Sequence, residues 1–273
     1  MALPDCRLEI ILLPIKYSFF VCVIIVMKRT VLLIISLATC MGLFAQGSRV
    51  QNRPYTDLRP FHFGIIVGMH AQDIEFSNVG PQMITAEDGT SSEKIVTCDQ
   101  DQWDMGFNVG VLGEARLNEN FALRIAPTMY FGNRHLSFLN HTDKMENGAP
   151  ITEQQDLKTI YISSTVDLIF SAKRLNNSRP YIMAGISPML NLSGKDSDYI
   201  KLKKYDVFLE LGLGCDFYLP FFKLRPELKF CYSLINSLDT KHPDNLRDKN
   251  MLMYAKSVKE AHSKMVVLSF YFE

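Results

Sequence analysis

KMVVLSFYFE, residues 264–273, alternates along its length: Val266, Leu268, Phe270 and Phe272 fall on one face, and Val267, Ser269 and Tyr271 on the other. Successive side chains of a β-strand point to opposite faces, so this segment reads as a strand with an unbroken apolar face. The last residues of a globular domain are usually polar and frayed. A strand this apolar needs both edges paired and its face covered, by a second sheet or by lipid.

The same period of two recurs along the chain. It appears in FHFGIIVGMHAQ (61–72), WDMGFNVGVLGEAR (103–116), FALRIAPTMYFGNR (121–134) and TIYISSTVDLIF (159–170). It continues in YIMAGISPMLNL (181–192), YDVFLELGLGCDFYL (205–219) and FKLRPELKFCYS (222–233), so the closing segment is the eighth. No long stretch carries a helical period. These strands run to roughly 10–14 residues, above the usual 5–6 of globular proteins and at or above the 9–11 that span a bilayer. Their polar faces carry full charges mid-strand: Glu114, Arg124, Asp167, Glu210, Asp216, Lys223, Arg225, Glu227 and Lys229. In a narrow barrel such residues face the lumen and pair with one another.

The connections alternate in length. Residues 118–120, 171–179 and 220–221 are short, whereas 79–101, 139–157, 193–204 and 235–263 are long and polar. Short turns at one end and long loops at the other are the outer-membrane arrangement. The expected fold is therefore an all-β, eight-stranded antiparallel up-and-down transmembrane β-barrel, with short periplasmic turns and long extracellular loops, in the cell outer membrane. Aromatic residues near the strand ends, Tyr55, Phe61, Trp103, Phe121, Tyr130, Phe131, Phe138, Tyr181, Tyr205, Phe217, Tyr218, Phe221 and Phe222, are expected to anchor at the bilayer interfaces. Pro127, Pro188 and Pro226 sit inside strands, where each costs ladder bonds.

The front of the chain reads differently. From Met27, a basic pair (Lys28, Arg29), an apolar core (Val31 to Leu37) and Ala45 before Gln46 follow the plan of a secretory signal peptide. Residues 27–45 are read as that signal, 46–60 as a periplasmic lead-in and 61–273 as the barrel. Residues 1–26 fit no such plan and read as an upstream extension from a mis-assigned start; an N-terminal anchor over Tyr17 to Leu37 is the alternative, and LATC (37–40) is a weak lipoprotein-like box. Net charge is zero over 273 residues, which gives no electrostatic argument for nucleic acid. Beyond the leader three cysteines remain, Cys98, Cys215 and Cys231, an odd number without metal-ligand spacing.

Chemistry is sparse. RHLSFLNHTD (134–143) places His135 and Ser137 two apart on one strand face, with His141 and Asp143 nearby, the residue types a rim deacylase would use. No nucleophile elbow accompanies them, and loop-edge polarity accounts for them as well. Glu114/Arg124 and Lys223/Glu227 read as a structural salt-bridge network rather than an ion path. An eight-stranded barrel has room for side chains but not for a polypeptide, so the chain is not expected to be a protein-conducting pore. No enzyme activity, cofactor or metal is expected. The long loops, with Met83, Met251 and Met253, suit protein contacts as well as plain solvation.

FHFGIIVGMH, ALRIAPTMYFG, RPYIMAGIS, LELGLGCDFYL and the closing VVLSFYFE together resemble the small PorT-type outer-membrane barrels of the type IX (Por) secretion system, over about residues 27–273. The resemblance implies a non-enzymatic barrel required for export of proteins with C-terminal sorting domains, surface proteases among them. It implies contacts with other membrane or periplasmic secretion components, and it supplies no catalytic residues. A stand-alone barrel serving adhesion or envelope integrity through its loops is the alternative. The strand of Val266, Leu268, Phe270 and Phe272 also resembles the signal by which barrel-assembly machinery recognises its clients. Outer-membrane lipid is the remaining expected partner.

Overall fold

Because a period-two strand has one apolar and one polar face, eight of them can satisfy every backbone group inside a bilayer only by closing on themselves. The computed structural model describes residues 50–85, 91–144, 150–194, 198–245 and 251–273. The extension expected over residues 1–26, the signal expected over 27–45 and the start of the lead-in, 46–49, lie outside the described residues. All the strands belong to the unit Gln51–Glu273.

Among the described residues ten strands follow in chain order: β1 Phe61–Asn78, β2 Pro81–Thr85, β3 Ser91–Asp99, β4 Asp104–Arg116, β5 Phe121–Lys144, β6 Pro150–Ser171, β7 Ser178–Asn191, β8 Tyr205–Tyr218, β9 Lys223–Ser233 and β10 Val258–Phe272. Eight of them form a closed antiparallel ring in the order β1, β4, β5, β6, β7, β8, β9, β10. The final strand is the closing seam. It pairs with β9 on one side (Phe270 opposite Pro226) and with β1 on the other (Phe270 opposite Val67). Among the described residues no helix is long and apolar enough to cross a membrane; the crossing is made by strands.

Alternation sorts the side chains. Phe63, Ile65, Val67, Met105, Phe107, Val109, Leu123, Ile125, Leu168, Ile186, Leu211 and Leu213 lie exposed on the outside. The opposite faces are buried. A water-soluble protein would not leave a belt of this kind uncovered. The belt ends at Phe131 on β5, and Asn133 and His135 above it are polar.

Three expectations are corrected by the fold. Residues 139–157 are not a loop: β5 and β6 run on through Lys144 and from Pro150, in register down to Asn140 opposite Ile151. The reason lies on the inner face, where Leu136, Phe138 and Leu157 continue the inward parity and are buried. The 79–101 connection contains the hairpin β2–β3, and β3 takes over the edge of β5 beyond the end of β4, with Val96 opposite Asn140 and Asp99 opposite Ser137. Among the aromatics, Tyr130, Phe138, Tyr181 and Tyr218 do not anchor at an interface. They have inward parity and are 0–4% exposed, whereas Tyr55, Phe61, Trp103, Phe121, Tyr205, Phe221 and Phe222 are exposed.

Pro127, Pro188 and Pro226 share one placement. Each stands opposite a partner in one unbroken ladder: Pro127 with Ser164, Pro188 with Val207, Pro226 with Phe270. On the other side the register skips two pairs at each of them: between Gly110–Thr128 and Gly113–Ile125, between Ser163–Met189 and Val166–Ile186, and between Gly214–Glu227 and Phe217–Leu224. Proline has no N–H to donate, so its cost falls on one ladder and leaves the other intact.

The extracellular end is packed. Ile74, Val96, Cys98, Leu136, Phe138, Leu157, Ile200, Leu202, Leu238, Tyr254, Val258 and Ala261 form a hydrophobic cluster, with Phe76, Tyr199 and Met253 against it. The short helix α1 (Leu252–Ala255) brings Tyr254 into edge contact with Phe138 at 5.6 Å, and Tyr199 meets Phe138 at 5.5 Å. The last connection is thus partly core rather than plain solvated loop: Met253 packs against this cluster, while Met83 is 68% exposed.

Candidate functional site

Among the described residues buried charge gathers in the lumen. All nine charges picked from the sequence point inward and are no more than 7% exposed. At the periplasmic end Arg225 is held from three sides: Nε meets Asp216 Oδ1 at 2.5 Å, Nη1 meets Glu114 Oε2 at 2.5 Å and Nη2 meets Glu273 Oε1 at 3.2 Å. Lys223 pairs with Glu273, lies 3.8 Å from Asp216, and does not pair with Glu227. His62 approaches Glu273 at 3.5 Å.

One layer higher, Arg124 spans the interior. Its Nη1 donates to Glu227 Oε2 at 2.6 Å and its Nε lies 3.5 Å from Glu114. Glu227 also accepts from Tyr181 (2.7 Å) and Tyr271 (2.6 Å). The Arg124 guanidinium sits 4.5 Å from the Tyr271 ring centre, close enough for a cation–π contact. Gly214 makes this possible, because a Cβ there would lie 2.4 Å from the Tyr181 hydroxyl. Above these, Lys229 donates to Glu210 at 2.7 Å. Near the top His70 packs edge-on against Tyr130, Gln72 donates to Thr159, and Arg134 donates to Ser263. Asp206 accepts from Ser233 (2.6 Å) and Ser237 (2.5 Å).

Both ends are closed by this chain. At the periplasmic mouth the lead-in folds across the turns: Asn52 donates to Asn177 and to the Tyr218 carbonyl, and Arg53 to the Glu273 carbonyl. Asp57 accepts from the Tyr218 hydroxyl at 2.6 Å and faces Arg174 at 3.5 Å. The mid-lumen residues Arg124, Asp167 and Glu210 are 0% exposed, so no column of bulk water reaches them. Among the described residues the mid-lumen is filled by side chains.

The rim residues are placed apart rather than together. Ser137 donates to Asp101 at 2.7 Å, and His135 Nδ1 meets Asp104 at 2.7 Å, with Asp156 at 3.7 Å from Nε2. His141 bonds Thr97, and Asp143 is held by Lys94. No His–Ser relay exists among them. Among the described residues no group of three or more His, Cys, Asp and Glu residues is arranged to hold a metal, and Cys98, Cys215 and Cys231 are free thiols.

His135 lies above the belt, and the hydrogen bond and charge of Asp104 raise its pKa above the ordinary histidine value. A raised folded-state value makes the His135–Asp104 contact fully stabilising below about pH 6.5 and removes that contribution as pH rises through the folded value. NMR titration of the imidazole in detergent micelles is expected to give a midpoint above that of an exposed histidine. Asp104→Asn is expected to lower it; an unchanged midpoint would remove Asp104 as the cause.

Sequence reading missed the head cluster and the lead-in clasp. Inward parity carried past the belt (Leu136, Phe138, Leu157) was the available signal for the first; Asp57 and Arg174 carried none for the second.

No curated protein matches the chain. Among solved structures, Neisserial surface protein A, NspA, aligns with a TM-score of 0.40 at 12% identity, over 78% of this chain and 98% of that one. Ail, the attachment invasion locus protein of Yersinia pestis, solved with the heparin analogue sucrose octasulfate, aligns with a TM-score of 0.35 at 12% identity, over 78% of this chain and 99% of that one. The model of the outer membrane protein beta-barrel domain matches residues 44–239, most of the chain. With a closed eight-strand ring, an apolar belt and that match, the chain belongs to the outer membrane protein beta-barrel domain family and resides in the outer membrane.

Proposed function

We propose that this barrel is a non-enzymatic accessory of type IX secretion, required for export of proteins with C-terminal sorting domains and acting through contacts with other secretion components. The observation that carries the reading is the sealed lumen. A barrel whose mid-section is filled by Arg124, Glu227, Tyr181 and Tyr271 works by its surfaces, not by a channel. The sequence resemblance to PorT-type barrels supplies the secretion context, and the lead-in clasp supplies a formed periplasmic face on which Tyr55, Leu58 and Phe221 stand exposed. Assembly machinery and outer-membrane lipid are the further partners.

The packed extracellular head favours a second reading, a stand-alone barrel for adhesion or envelope integrity. A folded cap with its own buried cluster presents a defined outer surface.

A strain lacking the gene separates the two. On the first reading, cargo with C-terminal sorting domains accumulates in the periplasm, and a plasmid copy restores its surface display. Normal surface display of that cargo, with lost attachment or a leaky envelope, would move the assignment to the second reading.

A further inference from the structure

The lumen holds more acid than base. Below the layer of Asp206 and Arg134, six carboxylates, Glu114, Asp167, Glu210, Asp216, Glu227 and Glu273, face four permanent cations, Arg124, Lys223, Arg225 and Lys229. The floor is balanced: Lys223 and Arg225 serve Asp216, Glu273 and Glu114, Arg124 lies 3.5 Å from Glu114, and His62 stands beside Glu273. Arg124 and two tyrosine hydroxyls serve Glu227, and Lys229 is committed to Glu210. Asp167 is left over. It is 0% exposed, and neither of its oxygens has a hydrogen-bond partner among the described residues.

Its position points to the remedy. Asp167 stands opposite Gly185 in the β6–β7 ladder, and Gly185 stands opposite Glu210 in the β7–β8 ladder. A Cβ on Gly185 would fall 2.1 Å from Asp167 Oδ1. The carboxyl group therefore occupies the space that glycine leaves and leans across β7 toward Glu210. Glu210 Oε1 is likewise buried without a partner. The other groups facing this point are Arg124, which stands opposite Asp167 in the β5–β6 ladder, and Tyr130, both from β5, and Glu227, Lys229 and the Cys231 thiol from β9. Three carboxylates, Asp167, Glu210 and Glu227, that face two cations, Arg124 and Lys229, in a water-poor interior cannot all stay ionised cheaply. A single proton removes one of these buried negative charges and turns Asp167 into a donor on the side that faces Glu210 across Gly185.

We infer that Asp167 and Glu210 form a proton-binding site bridged over Gly185, with the proton carried on Asp167 at neutral pH. The proton comes from solvent as the barrel closes, forming one O–H bond and no other covalent change.

Infrared spectroscopy of the full chain in detergent tests this. The expected result is a C=O stretch of a protonated carboxylic acid at neutral pH, shifted when aspartate side chains carry carbon-13, absent in Asp167→Asn and retained in Glu227→Gln. No protonated-acid band would overturn the site, since Asp167 would then be ionised and held by water or a bound cation. A band that shifts with labelled glutamate instead would overturn the assignment to Asp167. Should Asp167→Asn fail to assemble, the labelled natural chain decides alone.

Discussion

Removal of Phe270–Glu273 is expected to abolish membrane assembly. The four residues supply the last register pairs of both seams, Phe272 opposite Ile65 on β1 and opposite Leu224 on β9. They also carry the reciprocal backbone bonds between Glu273 and Lys223, the Tyr271 hydroxyl on Glu227, and the carboxylate that meets Arg225. Without them two strand edges face hydrocarbon with unsatisfied amides, each costing several kcal/mol, and Lys223 and Arg225 lose a shared counter-charge. The check is heat-modifiable migration of the membrane fraction, with the truncated chain giving no folded band. Replacing Phe270 and Phe272 by alanine keeps the ladder. That variant is expected to refold into detergent micelles, so a failure confined to cells would assign the two rings to recognition by the assembly machinery. A truncated chain that still yields a folded band would contradict the closure argument.

Arg124→Ala is expected to be the most damaging single substitution in the lumen. Arg124 is 0% exposed and is the cation nearest Glu227, at 2.6 Å. Its loss leaves Glu227 buried with two tyrosine hydroxyls and only Lys229, itself committed to Glu210, as a nearby cation, and empties the space under Tyr271. Breaking one side of a buried ion pair costs about 3–5 kcal/mol, a large share of the roughly 5–15 kcal/mol that holds a typical fold together. Denaturant unfolding in detergent should show the loss. Adding Glu227→Gln to Arg124→Ala is expected to recover part of it, because the stranded charge is then gone. A loss below about 1 kcal/mol, or strict additivity in the double variant, would show that the pair is not coupled.

Much of the barrel could be read from parity alone. Ile66, His70, Asn108, Arg124, Asp167 and Glu210 all have lumen parity in the written sequence and lie inside. Pairing was less legible, because it depends on which strands become neighbours and how far each side chain reaches. Lys223 and Glu227 share a face of β9 four residues apart, yet Lys223 turns to Glu273 and Asp216 while Glu227 takes Arg124 from across the lumen. Tyr130 and Tyr181 were legible by parity, but aromatic character near a strand end suggested an interface; parity decided. The head was least legible. Val96, Leu202, Leu238 and Tyr254 sit in segments whose overall polarity reads as solvent-facing, and only tertiary packing brings them together.

The proline placement has a mechanical consequence. The interrupted ladders, β4–β5, β6–β7 and β8–β9, are the three hairpins joined by the short periplasmic turns. The remaining ladders skip no pair across the apolar belt, so the wall is assembled as three plates, β9–β10–β1–β4, β5–β6 and β7–β8, joined along three softer lines. Deformation of the bilayer is then expected to be taken up as hinging between plates instead of shear within them, and the widest plate is the one that contains the seam where the cylinder closes.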